Sequence, residues 1–394
     1  MSNFNTPIKV FILCSGLGQI WRGYESFYQE FFTAFSQDSE LDITLFKGGG
    51  ESQGKAIALW NLPRYSKWAI KLGRIQWREL KVAERWDLIT EKQAYNVEEF
   101  TFFLSFLPYL MRGKPDAVYL SDRGLGNWLW HWRNLTKQKF KIVFRNGSPF
   151  PPPFPECDRV QQLTPTEFKK ALDAGEPPEK VSFIPHGFNI PRQLEFLDAP
   201  ARDALRSKLG LPQKRCLILS VGYVVQSHKR MDYVIQEVAS LPEPRPYLLL
   251  IGQQDVRGET REIIKLAKQL LGEENFQVKT VPHDEISDYY KAADVFVLAS
   301  LLEAFGRVFV EALSHGLPCL AHDYEVSRYI LGEEGYFADF NLRGNLAKLI
   351  EEVLAESEDN FKRDRRHRLA YERFSWEQLR PAYIQMFQQC VLVK

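Results

Sequence analysis

The chain has 394 residues, which is long for one domain and suits about two. Its apolar fraction of 45% can fill two cores, and 51 Lys plus Arg against 50 Asp plus Glu leave no basic excess for nucleic acid. Cys14, Cys157, Cys216, Cys319 and Cys390 form no CxxC pair, which argues against a disulfide framework or a zinc site. The amino terminus shows no basic start followed by an apolar run, so no secretory signal is expected. The longest apolar stretch, 102–111, is too short to span a bilayer. A cytoplasmic protein is expected, with peripheral contact at the inner face of a membrane left open.

In chain order, short apolar runs alternate with amphipathic ones, the pattern of βα units around parallel sheets. Strands are predicted at 9–14, 41–46, 117–121, 141–146, 159–164 and 181–185. Pro191, Pro200 and polar residues then break the periodicity over 186–203, a linker. A second set of strands follows at 216–222, 247–252, 276–281, 295–300 and 318–323, with helices at 230–240, 258–271, 285–293 and 307–315. The fold class is therefore α/β with two Rossmann-like halves. Ligands in such sheets sit beyond the carboxyl ends of the strands, so the residues there carry the functional reading.

The strongest of these segments is SLLEAFGRVFVEALSHGLP at 300–318. Glu303 and Glu311 stand eight positions apart and share a face if the helix extends back that far. The amides of Phe305, Gly306, Arg307 and Val308 would head that helix, where unpaired N–H groups and the dipole favour phosphate. An ordinary βα unit with a solvated Glu would read similarly, but the EAFG turn and the HGLP after the helix favour a site. The second segment is LSVGYVVQSHKRMDYVI at 219–235. There a strand ends at Gly222, and Lys229 precedes a helix, placed to reach a diphosphate as a point charge. The loop at 14–27 carries Gly16, Gly18 and Gly23, but Trp21 stands where a dinucleotide fingerprint needs its third glycine.

These segments resemble glycosyltransferase family 4, a retaining, nucleotide-sugar-dependent family with the GT-B fold. The matching stretches are VSFIPHGFN (181–189), SVG and HKRMD (220–232), VPHDEISDYYKAADVFVLAS (281–300), EAFGRVFVEALSHGLP (303–318) and ERFSWEQLRPAY (372–383). The resemblance implies two Rossmann-like domains facing across a cleft. The first is an acceptor-binding domain at 1–190, with the helix 376–394 packing back on it. The second, at 191–375, is a nucleotide-sugar-binding domain. It further implies that Glu303 contacts the donor sugar, Glu311 the ribose and Lys229 the diphosphate. His283 would lie beside the base, with Gly222 at the strand end and Gly23 approaching the donor from the first domain.

Two positions depart from the family pattern. Tyr223 stands where an arginine usually pairs with the lysine, leaving Arg22, Arg145 and Arg307 as sources of a second charge. Asn146 stands where a catalytic histidine often follows the strand KIVFR; its amide can bond a sugar hydroxyl but cannot accept a proton at neutral pH. No D-x-D pair or H-E-x-x-H spacing appears, so no metal and no resident cofactor are expected, with a UDP- or GDP-sugar as co-substrate. The expected partners are that donor and a sugar, lipid or small-molecule acceptor. Residues 60–86 hold seven Lys or Arg, two acids and four Trp, a composition suited to a membrane interface, although no clean apolar face emerges.

The expected activity is hexosyl transfer with retained configuration. A nucleotide-sugar epimerase or a non-catalytic nucleotide-sugar-binding protein would share the fold. Asp122, after the strand AVYLS, is the nearby acid that an inverting mechanism could use.

Overall fold

The computed structural model describes residues 6–20, 22–75, 86–254 and 258–392. The chain divides into two compact units, residues 1–189 with 379–394, and residues 190–378.

The first unit runs β1 (Ile8–Cys14), α1 (Gly23–Phe35), β2 (Leu41–Lys47), β3 (Ala56–Ala58), α2 (Lys67–Ile75), α3 (Trp86–Gly113), β4 (Ala117–Leu120), α4 (Arg123–Thr136), β5 (Lys141–Arg145), β6 (Arg159–Gln162), α5 (Pro165–Asp173) and β7 (Val181–Phe183). Its strands form a parallel sheet in the order β3-β2-β1-β4-β5-β6-β7. Strand β1 is apolar almost throughout because a central parallel strand is covered on both faces. On α1, Phe27, Phe31 and Phe35 recur every four residues and are all buried. Phe11, Phe46 and Phe106 meet edge-on on the sheet, with centroids 5.0 Å apart for Phe11–Phe46 and 4.9 Å for Phe46–Phe106.

The second unit runs α6 (Ala199–Leu209), β8 (Leu217–Val221), α7 (Met231–Ala239), β9 (Tyr247–Ile251), α8 (Glu259–Leu271), β10 (Phe276–Lys279), α9 (Ile286–Ala292), β11 (Val295–Leu298), α10 (Arg307–Ser314), β12 (Cys319–His322), α11 (Glu325–Leu331), β13 (Gly335–Ala338), α12 (Asn345–Ala355) and α13 (Asn360–Phe374). Its sheet is also parallel, in the order β10-β9-β8-β11-β12-β13. The last helix, α14 (Trp376–Leu392), joins the first unit from Leu379 onward. There the Tyr383 hydroxyl donates to the Pro185 carbonyl at 2.8 Å, and its ring lies 5.3 Å from Phe31.

Each sheet reverses its strand order once, beside its first strand: between β1 and β4 in the first unit, and between β8 and β11 in the second. A crevice for a ligand forms at such a switch point, where neighbouring loops diverge. Each strand read from the sequence exists, while β3 and β13, both at sheet edges, were not anticipated. The linker expected over 186–203 overlaps α6, which starts at Ala199 because the Asp198 side chain accepts the Ala201 amide at 2.8 Å. The five thiols are unpaired, and four of them are buried.

Candidate active site

The switch point of the second unit gathers most of the residues singled out from the sequence. The Lys229 ammonium donates to Glu303 Oε1, and each side chain is only 16% exposed. Lys229 follows β8 and Glu303 follows β11, so the pair spans the point where the strand order reverses. Gly222, directly after β8, lies against the lysine stem, where a Cβ would meet Lys229 Cδ and Cε at 3.3 Å. The loop between them is pinned from outside, since Glu259 Oε2 accepts the amides of Gln226 at 3.0 Å and Ser227 at 3.1 Å. Arg230, just after the lysine, adopts a left-handed conformation (φ 52°), which costs a non-glycine residue on the order of 1 kcal/mol. Its guanidinium is held by the Phe340 carbonyl at 2.9 Å and lies 4.4 Å over the Tyr233 ring. Such over-determined strain tends to collect at functional sites.

The helix α10 begins at Arg307, not at Glu303, because Gly306 caps it in the left-handed region (φ 75°). Glu303 and Glu311 therefore do not share a helical face, and the expectation drawn from their spacing fails. Glu303 reaches the site from the loop, Glu311 from the helix. Glu311 accepts the Tyr290 hydroxyl at 3.0 Å and has Arg307 Nε 3.8 Å away. The start of an α-helix leaves amides without carbonyl acceptors in the helix itself, which suits a phosphate, although the Phe309 amide donates to the Gly306 carbonyl at 3.0 Å. Phe305 is buried and meets Phe374 edge-on at 5.8 Å, so its ring anchors the turn. Val308 is half-buried in that first turn. His283 stands exposed in a short 3-10 turn, 283–285, after β10, and makes no hydrogen bond to the Lys229–Glu303 pair.

Tyr223, at the departure from the family pattern, has its ring 6.3 Å from that of His228. Burial, and then the Lys229 charge, hold the His228 pKa below its ordinary value, so the imidazole is neutral beside the lysine. Of the three arginines considered for a second charge, Arg307 belongs to the same unit as Lys229, whereas Arg22 and Arg145 belong to the other. Arg145 is 1% exposed, bonded to Ser121 Oγ at 3.1 Å and to the His186 ring, and stacked 3.9 Å over Phe27. Tyr290 and Tyr324 were missed by sequence reasoning. Tyr324 is half-buried, and burial and the Glu303 charge both raise its pKa.

Gly23 and Asn146 lie in the first unit. Gly23 is exposed and opens α1. Asn146 follows β5, and its amide serves its own loop: Oδ1 accepts the Phe150 amide, while Nδ2 donates to the Phe150 carbonyl and to Gln162 Oε1, each at 3.0 Å. Asp122 is 2% exposed and accepts the Tyr95 hydroxyl, and burial raises its pKa. Among the described residues no group of three or more His, Cys, Asp or Glu side chains is placed to hold a metal ion. None of the helices there is long and apolar enough to cross a membrane.

Two Rossmann-like parallel-sheet domains of this topology are the GT-B fold. Residues 201–373 match the family described as Glycosyl transferases group 1. The chain is 31% identical over 195 residues to the D-inositol 3-phosphate glycosyltransferase of Xylanimonas cellulosilytica, covering 49% of this chain and 46% of that one. It thus spans less than half the length of that relative. Among solved structures, the sucrose-phosphate synthase from Thermosynechococcus elongatus superposes with a TM-score of 0.74 at 18% identity, over 98% of this chain and 100% of that one. The Anabaena protein HepE in complex with UDP and glucose does so with a TM-score of 0.69 at 16% identity, over 97% of this chain and 99% of that one.

Proposed function

We propose that this protein is a retaining, metal-independent hexosyltransferase that moves a sugar from a UDP- or GDP-sugar to a sugar, lipid or small-molecule acceptor. The observation that carries this reading is the Lys229–Glu303 pair at the switch point between β8 and β11, beside the amino end of α10. The group 1 domain over 201–373 and the UDP-bound HepE structure support it.

Negative charge grows on the diphosphate as the bond from the anomeric carbon to the phosphate oxygen breaks. Groups fixed in place beforehand stabilise that charge without reorganising. Lys229 and the first amides of α10 do so, with Arg307 as the second cation that Tyr223 does not supply. Lys229 is engaged by Glu303; donor binding places the phosphate on the ammonium and leaves the carboxylate for the sugar hydroxyls. Glu311 and Tyr290 together hold the ribose. The acceptor oxygen bonds the anomeric carbon from the face the phosphate leaves, and its proton passes to the departing phosphate oxygen. Asp122, buried and bonded to Tyr95, is then not a base in this reaction.

A panel of nucleoside diphosphates and nucleotide sugars in a thermal-shift assay tests donor binding, because a ligand of the folded state raises the melting temperature. Proton NMR of the first product then reads its anomeric configuration, with excess EDTA present throughout. Transfer that needs added Mg2+ or Mn2+, or an inverted product, refutes the proposed mechanism.

A further inference from the structure

The switch point of the first sheet is built as carefully as that of the second, with the opposite chemistry. Beyond β1 and β4 stand four carboxyl groups, on Glu25, Glu98, Glu99 and Asp122, all 3% exposed or less. Among the described residues a single arginine, Arg64, is within ion-pair distance of one of them, while the Arg22 charge acts on Glu25 from further off. Arg64 gives Glu98 a bidentate pair, Nη2 to Oε1 at 2.6 Å and Nε to Oε2 at 3.0 Å, and adds its backbone amide to Oε2 at 2.7 Å. Its guanidinium also stacks 3.9 Å over the Tyr95 ring. Ser15, directly after β1, donates to Glu98 at 3.0 Å, and Tyr95 donates to Asp122. None of the other three carboxyls has an ion-pair partner among the described residues. Arg145, another buried cation of this unit, is bonded to Ser121 and His186 instead.

Two oxygens in this cluster have no partner. Glu25 Oε2 and Glu99 Oε1 are buried and make no hydrogen bond among the described residues. A buried acceptor without a donor lowers stability, so native proteins keep one where a ligand or water supplies the donor. Glu25 stands in the first turn of α1, and its other oxygen lies against the backbone of Gly16. A Cβ at Gly16 would sit 2.7 Å from Glu25 Oε1 and 3.0 Å from Arg64 Nη2. The segment over the carboxyl is therefore free of a side chain at that point, and Gly18 and Gly23, close by in sequence, are exposed.

We propose that this cluster reads the acceptor, with Glu25 taking its donor group, and that it selects an acceptor end bearing hydroxyl or ammonium donors and no negative charge. This rests on the transferase reading above and names the acceptor chemistry of that reaction. A phosphate placed here would face four carboxyl groups with Arg64 already paired to Glu98, whereas an ammonium or hydroxyl supplies the donor that Glu25 Oε2 and Glu99 Oε1 lack among the described residues.

The test uses the full chain with saturating UDP and measures binding of D-glucosamine, D-glucose and D-glucose 6-phosphate by NMR titration. UDP binding is measured first and reports on the Lys229 site alone, so its absence overturns the transferase reading separately. Glucosamine and glucose are expected to bind about 10-fold or more tightly than glucose 6-phosphate. Glu25→Ala should weaken glucosamine by about 10-fold or more, the low end for a charged hydrogen bond. Glu25→Gln keeps the shape and separates that loss from misfolding, and should weaken glucosamine in the same direction. Glucose 6-phosphate binding as tightly as glucosamine overturns the proposal. So does binding by none of the three sugars, or wild-type affinity in both folded variants.

Discussion

The two sheets share one topology and place opposite chemistry at the same point of it. In the second unit Glu303 meets Lys229 and Glu311 lies beside Arg307, and the amino end of α10 adds partial positive charge. In the first unit four buried carboxyls stand together, and among the described residues only Glu98 has an arginine, Arg64, within ion-pair distance. A parallel sheet fixes where a crevice opens, and the loop residues decide what enters it. On the proposed function the second unit draws an anion, the nucleoside diphosphate of the donor. In the first, the arginine beside the carboxyls is already paired with Glu98. A transferase that must hold a charged donor and distinguish it from its acceptor gains from that division.

The largest expected effect falls on Glu303. Glu303→Gln should slow transfer by about 100-fold or more, the scale on which a misplaced reactive centre costs rate. It should leave nucleoside diphosphate binding unchanged or tighter, because Lys229 loses its internal partner. Asp122→Asn should cost far less in rate than Glu303→Gln. Single-turnover rates beside calorimetry of UDP separate the two quantities. If Asp122→Asn slows transfer as much as Glu303→Gln, the chemistry belongs to the first unit and the comparison inverts.

Lys229→Ala should weaken nucleoside diphosphate binding by about 1.5–3 kcal/mol, the range for a hydrogen bond to a charged group. The double variant Lys229→Ala with Glu303→Gln should recover part of that loss, since the single variant leaves Glu303 partly buried without a cation. Calorimetry of the four proteins closes the cycle. Equal affinity in wild type and the folded Lys229→Ala variant removes the lysine from the phosphate site.

Much of this arrangement was legible in the sequence, and the gaps have physical reasons. The central strands announce themselves as apolar runs because both faces are covered. Edge strands do not: β3 is three residues long, and β13 is only half-buried. Lys229 and Glu303 could each be read from the strand end before them, but their ion pair joins residues 74 apart in sequence. The shared face inferred for Glu303 and Glu311 failed because Gly306 starts the helix late. The carboxyl cluster was almost invisible, since Glu98 and Glu99 on a long helix read like a solvated face. Their burial follows from β1, α2 and α4 converging around α3, which no local pattern shows. Asn146 had the right residue type for a sugar contact, yet its amide turns inward to Phe150 and Gln162.

Glu25 gives the first unit a pH signature opposite in sign to that of His315 in the second, whose pKa burial lowers from 6.5 to about 4. Burial pushes its pKa from 4.5 up to about 7. The folded state thus holds a proton that the unfolded chain releases above about pH 4.5. Stability from this group is present at low pH, falls as the pH rises toward about 7, and levels off beyond it. Glu25→Gln removes that loss, so the variant should gain about 2 kcal/mol relative to wild type between pH 5 and pH 8. Urea unfolding at both values measures it. A difference between the two proteins that stays constant across that interval shows the carboxyl ionised throughout.

The smallest effect expected concerns the outer surface, where the units also differ. Trp60, Trp68 and Trp128 are 67%, 64% and 41% exposed, and all three belong to the first unit. Trp60 and Trp68 lie in the basic stretch 60–86, of which residues 76–85, including Trp77, lie outside the described residues. On α2, Lys67 and Lys71 are exposed, and the Lys71 ammonium is 5.4 Å from the Trp68 ring centroid. Indole rings with lysines beside them suit the headgroup layer of an anionic bilayer, where each basic residue contributes about 1 kcal/mol and salt screens the attraction. Weak co-sedimentation with vesicles containing phosphatidylserine is expected at low salt, with release at about 0.5 M salt, beyond the screening of such pairs. Trp68→Ala should reduce binding at low salt, whereas Trp128→Ala, away from that basic stretch, should change it little. Equal losses in both variants would mean that general hydrophobicity, and not the charged face of α2, draws the first unit to the surface.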